Sequence, residues 1–109
     1  MNRIQLFASS IALLLLACSS GTTGANGSMD DAPGSGRAVF NMNCSLCHGR
    51  DGKLGLNGAK DLTISALSKN EMVAIVRSGK GAMMPYKDVL TPKEVDAVVE
   101  YVRTLGKTR

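Results

Sequence analysis

The pentapeptide Cys44-Ser45-Leu46-Cys47-His48 constrains this chain more than any other stretch. Two cysteines three residues apart lie on one side of a helical turn, so their thiols can reach two groups on one ligand. The C-x-x-C-H pattern is typical of covalent haem attachment, in which the thiols form thioethers with two porphyrin vinyl groups and the histidine ligates iron. His48 is the only histidine among the 109 residues, so no other imidazole competes for that role.

A C-x-x-C pair can also form a redox dithiol, half of a zinc site, a copper(I) site or an ordinary disulfide. A zinc site usually takes four Cys or His ligands at paired spacings, and apart from Cys18 the chain offers only three. A thioredoxin-like dithiol would begin a helix in a βαβ pattern, which the sequence lacks. We therefore predict one haem c, with Cys44 and Cys47 as the thioether residues and His48 as an axial iron ligand.

The size and the aromatic content of the chain favour a large buried cofactor. A chain of 109 residues holds one domain at most. Aromatic residues make up only 4% of it, and it has no tryptophan. Such a small core is marginal unaided, and a covalently held haem would supply a large apolar plate for the chain to wrap around.

The first 17 residues are predicted to be a signal peptide. A single charge, Arg3, precedes an apolar run from Ile4 to Leu16 that is too short to span a bilayer. The run ends in Leu15-Leu16-Ala17-Cys18, which resembles the lipobox of bacterial lipoproteins, so Cys18 is predicted to carry lipid. The alternative is an ordinary signal peptide with an incidental cysteine. We expect an exported lipoprotein, anchored in the membrane and facing the periplasm or the cell exterior.

Residues 18–34 are predicted to be a flexible linker, and residues 35–109 the folded domain. Ser, Gly, Thr, Asn and Ala dominate the linker, a composition that cannot bury apolar surface. Its r.m.s. span would be on the order of 20 to 25 Å, enough to lift a small domain clear of the lipid headgroups.

Capping signals predict where the first two main helices begin. Ser35 or Asp31 can cap a helix that leads into the C-x-x-C-H segment. Ser68 and Glu71 form an S-x-x-E capping box that opens a second helix, and Gly79 is positioned to end it.

A third main helix is predicted near the end of the chain. Thr91 and Glu94 form another capping box, with Pro92 at the favoured first helical position. An apolar stripe follows at spacings of three and four, formed by Val95, Val98, Val99, Val102 and Leu105. No segment alternates with period two, so the sequence predicts an all-α domain with three main helices.

Between the last two helices lies Met83-Met84-Pro85, about 36 residues after His48. A methionine on this loop could close the sixth iron position from the opposite face and raise the reduction potential. We predict Met84 as that ligand, because the proline after it favours an extended backbone at Met84. The alternative is that both methionines only fill space beneath the haem.

The motifs together resemble one family. They are Gly36 and Phe40 ahead of Cys44-x-x-Cys47-His48-Gly49, the Met84-Pro85 loop, and a last helix bearing Tyr101-Val102-Arg103-Thr104-Leu105. Residues from about 35 to 107 are similar to a class I monohaem cytochrome c. The resemblance implies that the first and last helices cross near a right angle, with Gly36, Phe40 and Tyr101 at their contact.

The chain departs from that family at Lys60. The family often has a proline there, whose carbonyl accepts the N–H of the proximal histidine. We still expect a nearby backbone carbonyl to accept from His48, since this bond needs no particular side chain.

An iron with both axial positions filled has no open site for substrate, so it passes single electrons. We therefore predict an electron carrier rather than an enzyme, with no small-molecule substrate and no nucleic-acid partner. The resemblance implies shuttling between respiratory-chain proteins, such as a quinol-oxidising complex and a terminal oxidase. Loss of Arg3 with the signal leaves 12 Lys and Arg of the original 13, against 9 Asp and Glu. Lys80 and Lys87 flank the Met84 loop, so we expect partners with acidic docking patches.

Two other functions stay open at this point. If Met84 does not ligate, the iron has an open sixth position, as in a haem peroxidase or gas sensor. No distal histidine is then available as acid or base, and a lone Arg50 or Arg77 is a weak substitute. The other possibility is a fixed cytochrome subunit of a larger oxidoreductase.

Overall fold

Four α-helices organise residues 29–107, which are the residues that the computed structural model describes. They are α1 (Gly36–Asn43), α2 (Ser45–His48), α3 (Lys69–Ser78) and α4 (Pro92–Leu105). Short 3-10 turns occur at Met29–Asp31, Leu56–Gly58 and Leu62–Ile64. Within these residues no β-strand forms, and Lys80 and Met83 make a single isolated bridge. The prediction of an all-α domain with three main helices is confirmed.

The predicted signal peptide, Cys18 and most of the predicted linker lie outside the described residues. The division into 1–17, 18–34 and 35–109 therefore stays a prediction. Over residues 29–107, none of the helices combines the length and the apolar character needed to cross a membrane.

The capping signals act as the sequence predicts. The Ser35 side chain accepts from the Ala38 amide at 3.2 Å and so caps α1, whereas Asp31 pairs with Arg37 instead. Both capping boxes are complete: the first joins Ser68 to Glu71 at the start of α3. The second joins Thr91 to Glu94 at the start of α4, where Pro92 takes the first helical position. These caps fix where each helix begins, and hence where the loops between them lie.

The core lies where α1 packs against α4. Phe40 is fully buried, and its ring centroid lies 5.3 Å from that of Tyr101 in a tilted pair. A Cβ atom on Gly36 would lie 2.1 Å from the carbonyl oxygen of Ala97, so only glycine allows this close approach. The contact that the resemblance implied between these helices is therefore present. The buried apolar side chains are Val39, Phe40, Leu90, Val95, Val98 and Val99.

A break at Cys44 separates α1 from the one-turn helix α2. The sequence predicted a helix that leads into the C-x-x-C-H segment, and the break divides it in two. The amides of Cys47 and His48 both donate to the carbonyl of Cys44, while the Ser45 hydroxyl donates to the Asn41 carbonyl at 2.6 Å. Side chains that bond to nearby backbone groups in this way compete with regular helix. The break places Cys44 between the two helices and Cys47 within α2.

Candidate haem-binding site

The two cysteines lie at the corner between α1 and α2, and both thiols are free. Burial raises the pKa of the Cys44 thiol to about 11, and the nearby Cys47 adds to the shift. Burial therefore keeps the Cys44 thiol in its neutral form near neutral pH.

The His48 imidazole is held by the backbone of the following loop. Its Nδ1 atom lies 3.1 Å from the carbonyl oxygen of Lys60. A carbonyl can only accept, so Nδ1 carries the proton and donates, and the lone pair is left on Nε2. Lys60 stands where the family often has proline, and its carbonyl supplies the expected acceptor. The side chain of Lys60 takes no part in this bond.

The loop after α2 folds back so that Lys60 reaches His48. The Leu54 amide donates to the carbonyl of His48 at 2.9 Å, and the Leu62 amide donates to the carbonyl of Gly52 at 2.9 Å. The Asp61 carboxylate then accepts from the amide and hydroxyl of Thr63, at 2.8 and 2.6 Å. These bonds fix the turn on which the Lys60 carbonyl sits.

The methionine loop, residues 79–90 between α3 and α4, carries both candidate ligands for the sixth iron position. Lys80 and Met83 exchange two backbone hydrogen bonds, at 3.0 and 3.1 Å. Met83 is half-buried, whereas the side chain of Met84 is 53% exposed. Gly79 has φ +73°, and a Cβ atom there would lie 2.6 Å from the Met83 carbonyl oxygen. Glycine is therefore required where this loop leaves α3.

Tyr86 connects the methionine loop to the C-x-x-C-H segment, and the sequence analysis missed it. Its hydroxyl donates to the backbone carbonyl of Asn43, the residue before Cys44, at 2.9 Å. Burial raises the pKa of Tyr86, and the nearby Cys44 and Cys47 contribute to the rise. The available signal was a tyrosine beside Met84-Pro85 in a chain with only four Phe and Tyr residues.

The donor set of the site fits a haem held by two thioethers. It combines two free thiols three residues apart, an imidazole whose Nδ1 proton is donated to a carbonyl, and thioether sulfurs on a separate loop. Between residues 29 and 107 no group of three or more His, Cys, Asp or Glu side chains is arranged to hold a metal ion. A zinc site at Cys44 and Cys47 would lack its remaining ligands.

Comparison with known proteins shows that the chain is similar to c-type cytochromes. The sequence profile of the family described as "Cytochrome C oxidase, cbb3-type, subunit III" matches residues 31–102. Cytochrome c6 of Leptolyngbya boryana is 41% identical over 78 residues, which cover 66% of this chain and 89% of the relative. The cbb3-type cytochrome c oxidase subunit FixP of Azorhizobium caulinodans is 35% identical over 77 residues. That match covers 65% of this chain but only 26% of FixP.

The fold is also similar to that of solved structures. The crystal structure of cytochrome c6C from Synechococcus sp. PCC 7002 superposes with a TM-score of 0.58 at 30% sequence identity. The match covers 67% of this chain and 95% of the other. The similarity therefore extends over nearly the whole of that protein.

Proposed function

The chain belongs to the class I cytochrome c family and carries electrons on one covalently bound haem c, and from that premise we propose which residues hold the haem and where the protein works. Cys44 and Cys47 form the thioethers, His48 is the proximal iron ligand and Met84 is the distal one. When bound, the haem supplies a one-electron Fe(III)/Fe(II) couple.

The hydrogen bond from His48 to Lys60 is the observation that carries this proposal. It fixes the tautomer and the ring orientation of His48, so that the free Nε2 is the atom available to iron. It also increases the electron density that His48 donates, which favours the oxidised state. A thioether ligand favours the reduced state and thus works in the opposite direction.

With His48 and a methionine on the two axial positions, no position is left for a substrate. This supports an electron carrier that is not an enzyme. The peroxidase and gas-sensor alternatives need an open iron and, for peroxide, an acid or base close to it. His48 is the only histidine and is committed as a ligand in this proposal.

Met83 competes with Met84 for the distal position, and one observation favours it. Its backbone is fixed by two hydrogen bonds to Lys80. Pro85 in turn favours an extended backbone at Met84. Separate alanine variants decide between the two sulfurs.

The experiment is the visible spectrum of the ferric protein, expressed together with a haem-attachment system. The weak methionine–Fe(III) charge-transfer band at the red end of the spectrum is expected in the wild type and in Met83→Ala, and lost in Met84→Ala. Loss in Met83→Ala alone would reassign the ligand to Met83. A high-spin ferric spectrum, together with CO binding after reduction to Fe(II), would refute methionine ligation, and a chain without haem would refute the whole proposal.

The protein exchanges electrons with other redox proteins, and we propose that these carry acidic docking patches. Arg77, Lys80 and Lys87 are exposed, and the Lys87 amide donates to the Arg77 carbonyl at 3.3 Å, which brings two of these cations to one side of the methionine loop. None of the three takes part in the ion pairs formed within residues 29–107. Unpaired cations near the electron-transfer site would steer an acidic partner toward it.

Stopped-flow electron transfer to an acidic redox protein tests this surface. The rate is expected to fall with increasing salt, and to fall further in the double variant Lys80→Glu/Lys87→Glu. Lys107→Glu, which reverses one charge beyond the far end of α4, is the control and is compared with Lys80→Glu and Lys87→Glu made singly. A rate independent of salt would contradict the proposed docking surface.

We further propose that the protein is exported and held at the membrane by lipid on Cys18. The apolar leader and the lipobox-like Leu15-Leu16-Ala17-Cys18 support this. Metabolic labelling with a fatty acid tests it: the wild type is expected to be labelled and to sediment with membranes, and Cys18→Ala to be unlabelled and released. An unlabelled wild type would indicate an ordinary signal peptide.

A fixed oxidoreductase subunit is the second candidate function. The family profile is named for subunit III of a cbb3-type oxidase, and FixP is named as such a subunit. Co-purification with a stable partner after mild detergent extraction would favour this candidate over a mobile carrier.

A further inference from the structure

We propose that Tyr86 is a positioning residue whose hydroxyl, through its bond to the Asn43 carbonyl, holds the methionine loop closed and keeps the methionine on the iron. This inference rests on the methionine ligation proposed above. It holds for either sulfur, since Tyr86 follows Met84 by two residues and Met83 by three.

The bond joins the two parts of the chain that carry the proposed iron ligands. Tyr86 belongs to the methionine loop, and Asn43 is the last residue of α1, directly before Cys44. The two residues are 43 positions apart, and their O···O distance is 2.9 Å. A direct, part-buried hydrogen bond therefore joins the methionine loop to the residue that precedes the C-x-x-C-H segment.

The Asn43 carbonyl depends on this donor because of its place in the fold. The last carbonyls of a helix have no amide partner within that helix. Beyond Asn43 the chain breaks at Cys44, and the amides of Cys47 and His48 donate to Cys44 rather than to Asn43. The Tyr86 hydroxyl supplies the partner that the broken helix does not.

The backbone of Tyr86 is fixed as well, so the side chain acts from a rigid base. The Tyr86 amide donates to the Val76 carbonyl of α3 at 2.9 Å. Its own carbonyl accepts from the amides of Val89 and Leu90, just before α4. Tyr86 thus joins α3, the start of α4 and the end of α1, and the hydroxyl provides the last of these three connections.

The ring and the hydroxyl can be tested separately. The Tyr86 ring packs against the buried core residues, so Tyr86→Phe keeps that packing and removes the hydrogen bond alone. The chain has one other tyrosine, Tyr101, whose ring pairs with Phe40 in the contact between α1 and α4. Tyr101→Phe also removes a tyrosine hydroxyl, but at a position outside the methionine loop, and is the matched control.

Loss of the bond should raise the fraction of protein with an open loop. A net hydrogen bond of ordinary strength corresponds to about a three- to tenfold change in an equilibrium constant. An external ligand binds iron only after the methionine has left, so its apparent affinity is proportional to that open fraction. We expect imidazole to bind ferric Tyr86→Phe about three to ten times more tightly than the wild type.

The experiment titrates the ferric holoproteins with imidazole and follows loss of the methionine–Fe(III) band. Amide hydrogen exchange in residues 79–90 gives a second readout that does not depend on the haem spectrum. Tighter imidazole binding and faster loop exchange in Tyr86→Phe, with Tyr101→Phe like the wild type, are the expected results. Equal imidazole affinity and loop exchange in Tyr86→Phe and the wild type would overturn this inference but not the methionine ligation. Equal increases in both variants would do the same. A wild type without the band would overturn the methionine ligation and this inference with it.

Discussion

The Nδ1 atom of His48 donates to the backbone carbonyl of Lys60 across 3.1 Å. The acceptor belongs to the main chain, so the identity of the side chain at position 60 is secondary. What matters is the turn that points this carbonyl at the imidazole, and Asp61 caps that turn through Thr63.

Replacement of Lys60 by alanine is therefore expected to leave the reduction potential unchanged. Asp61→Ala should raise it, because a looser turn weakens the hydrogen bond to His48, the proposed iron ligand, and reduces the electron density that the imidazole would give to Fe(III). Redox titration of the two holoproteins against the wild type measures both effects. A shift in Lys60→Ala as large as that in Asp61→Ala would contradict the assignment of the acceptor to the backbone.

Gly36→Ala should strongly destabilise the folded domain. The added Cβ atom would meet the Ala97 carbonyl oxygen at 2.1 Å, and neither helix backbone can yield without disturbing the buried Phe40. We expect a loss of about 3 kcal/mol in the free energy of unfolding, measured by denaturant titration. Arg37→Ala, an exposed change on the same helix, is the control, with an expected effect within about 0.5 kcal/mol. A stable Gly36→Ala variant would mean that α1 and α4 can separate.

Stability should fall on acidification because of the two capping boxes. The side-chain and backbone hydrogen bonds from Ser68 lower the pKa of Glu71, and the backbone and side-chain bonds from Thr91 lower that of Glu94. A carboxyl group with a lowered pKa in the folded state stabilises the fold above its unfolded pKa of about 4.3, and this contribution disappears as the pH falls through the folded pKa.

The melting temperature should therefore decrease between about pH 5 and pH 3. The double variant Glu71→Gln/Glu94→Gln should show a flatter dependence over this range, whereas Asp88→Asn, outside both boxes, should keep the wild-type slope. Thermal unfolding in a pH series makes the comparison. An unchanged slope in the double variant would assign the acid sensitivity to other groups.

Lys69 should stabilise the contact between α3 and α4 in a manner that salt weakens. Its Nζ atom lies 2.8 Å from Asp96 and 2.9 Å from Glu100, and the hydrogen bonds that Lys69 donates to these carboxylates raise its pKa. These groups are largely exposed, so the gain is small and screened by ions. Lys69→Met should lower the melting temperature slightly at low salt and not at high salt. Lys93→Met is the control. An equal decrease in its melting temperature would mean that the Lys69 ion pairs make no specific contribution to stability.

The sequence predicted the local features of this fold well. The caps at Ser35, Ser68 and Thr91 are short-range patterns, in which three or four residues determine where a helix begins. The α1–α4 contact was implied by the resemblance, through Gly36, Phe40 and Tyr101. Each of these features can be read from neighbouring residues or from a shared family pattern.

The features that sequence analysis missed depend on contacts between distant parts of the chain. The hydroxyl of Tyr86 meets a carbonyl 43 residues away, and no local pattern marks a backbone acceptor. The break at Cys44 arises from competition between side-chain and backbone hydrogen bonds around Ser45, which helix propensity does not express. Met83 and Met84 are a similar case, since two adjacent identical side chains carry no local signal that separates them except Pro85.

The contact between α1 and α4 joins the two ends of the folded region. About fifty residues, including the cysteines, His48 and both loop methionines, lie between the helices that form the core. Closing a loop of this length costs conformational entropy before burial of the core can stabilise the fold, and this slows folding. Once it has formed, neither terminal helix can detach without exposing the other, so the most persistent amide protons of α1 and α4 should exchange with solvent together. The intervening segments are therefore expected to open while the ends remain joined, which would expose the proposed haem-binding residues without complete unfolding.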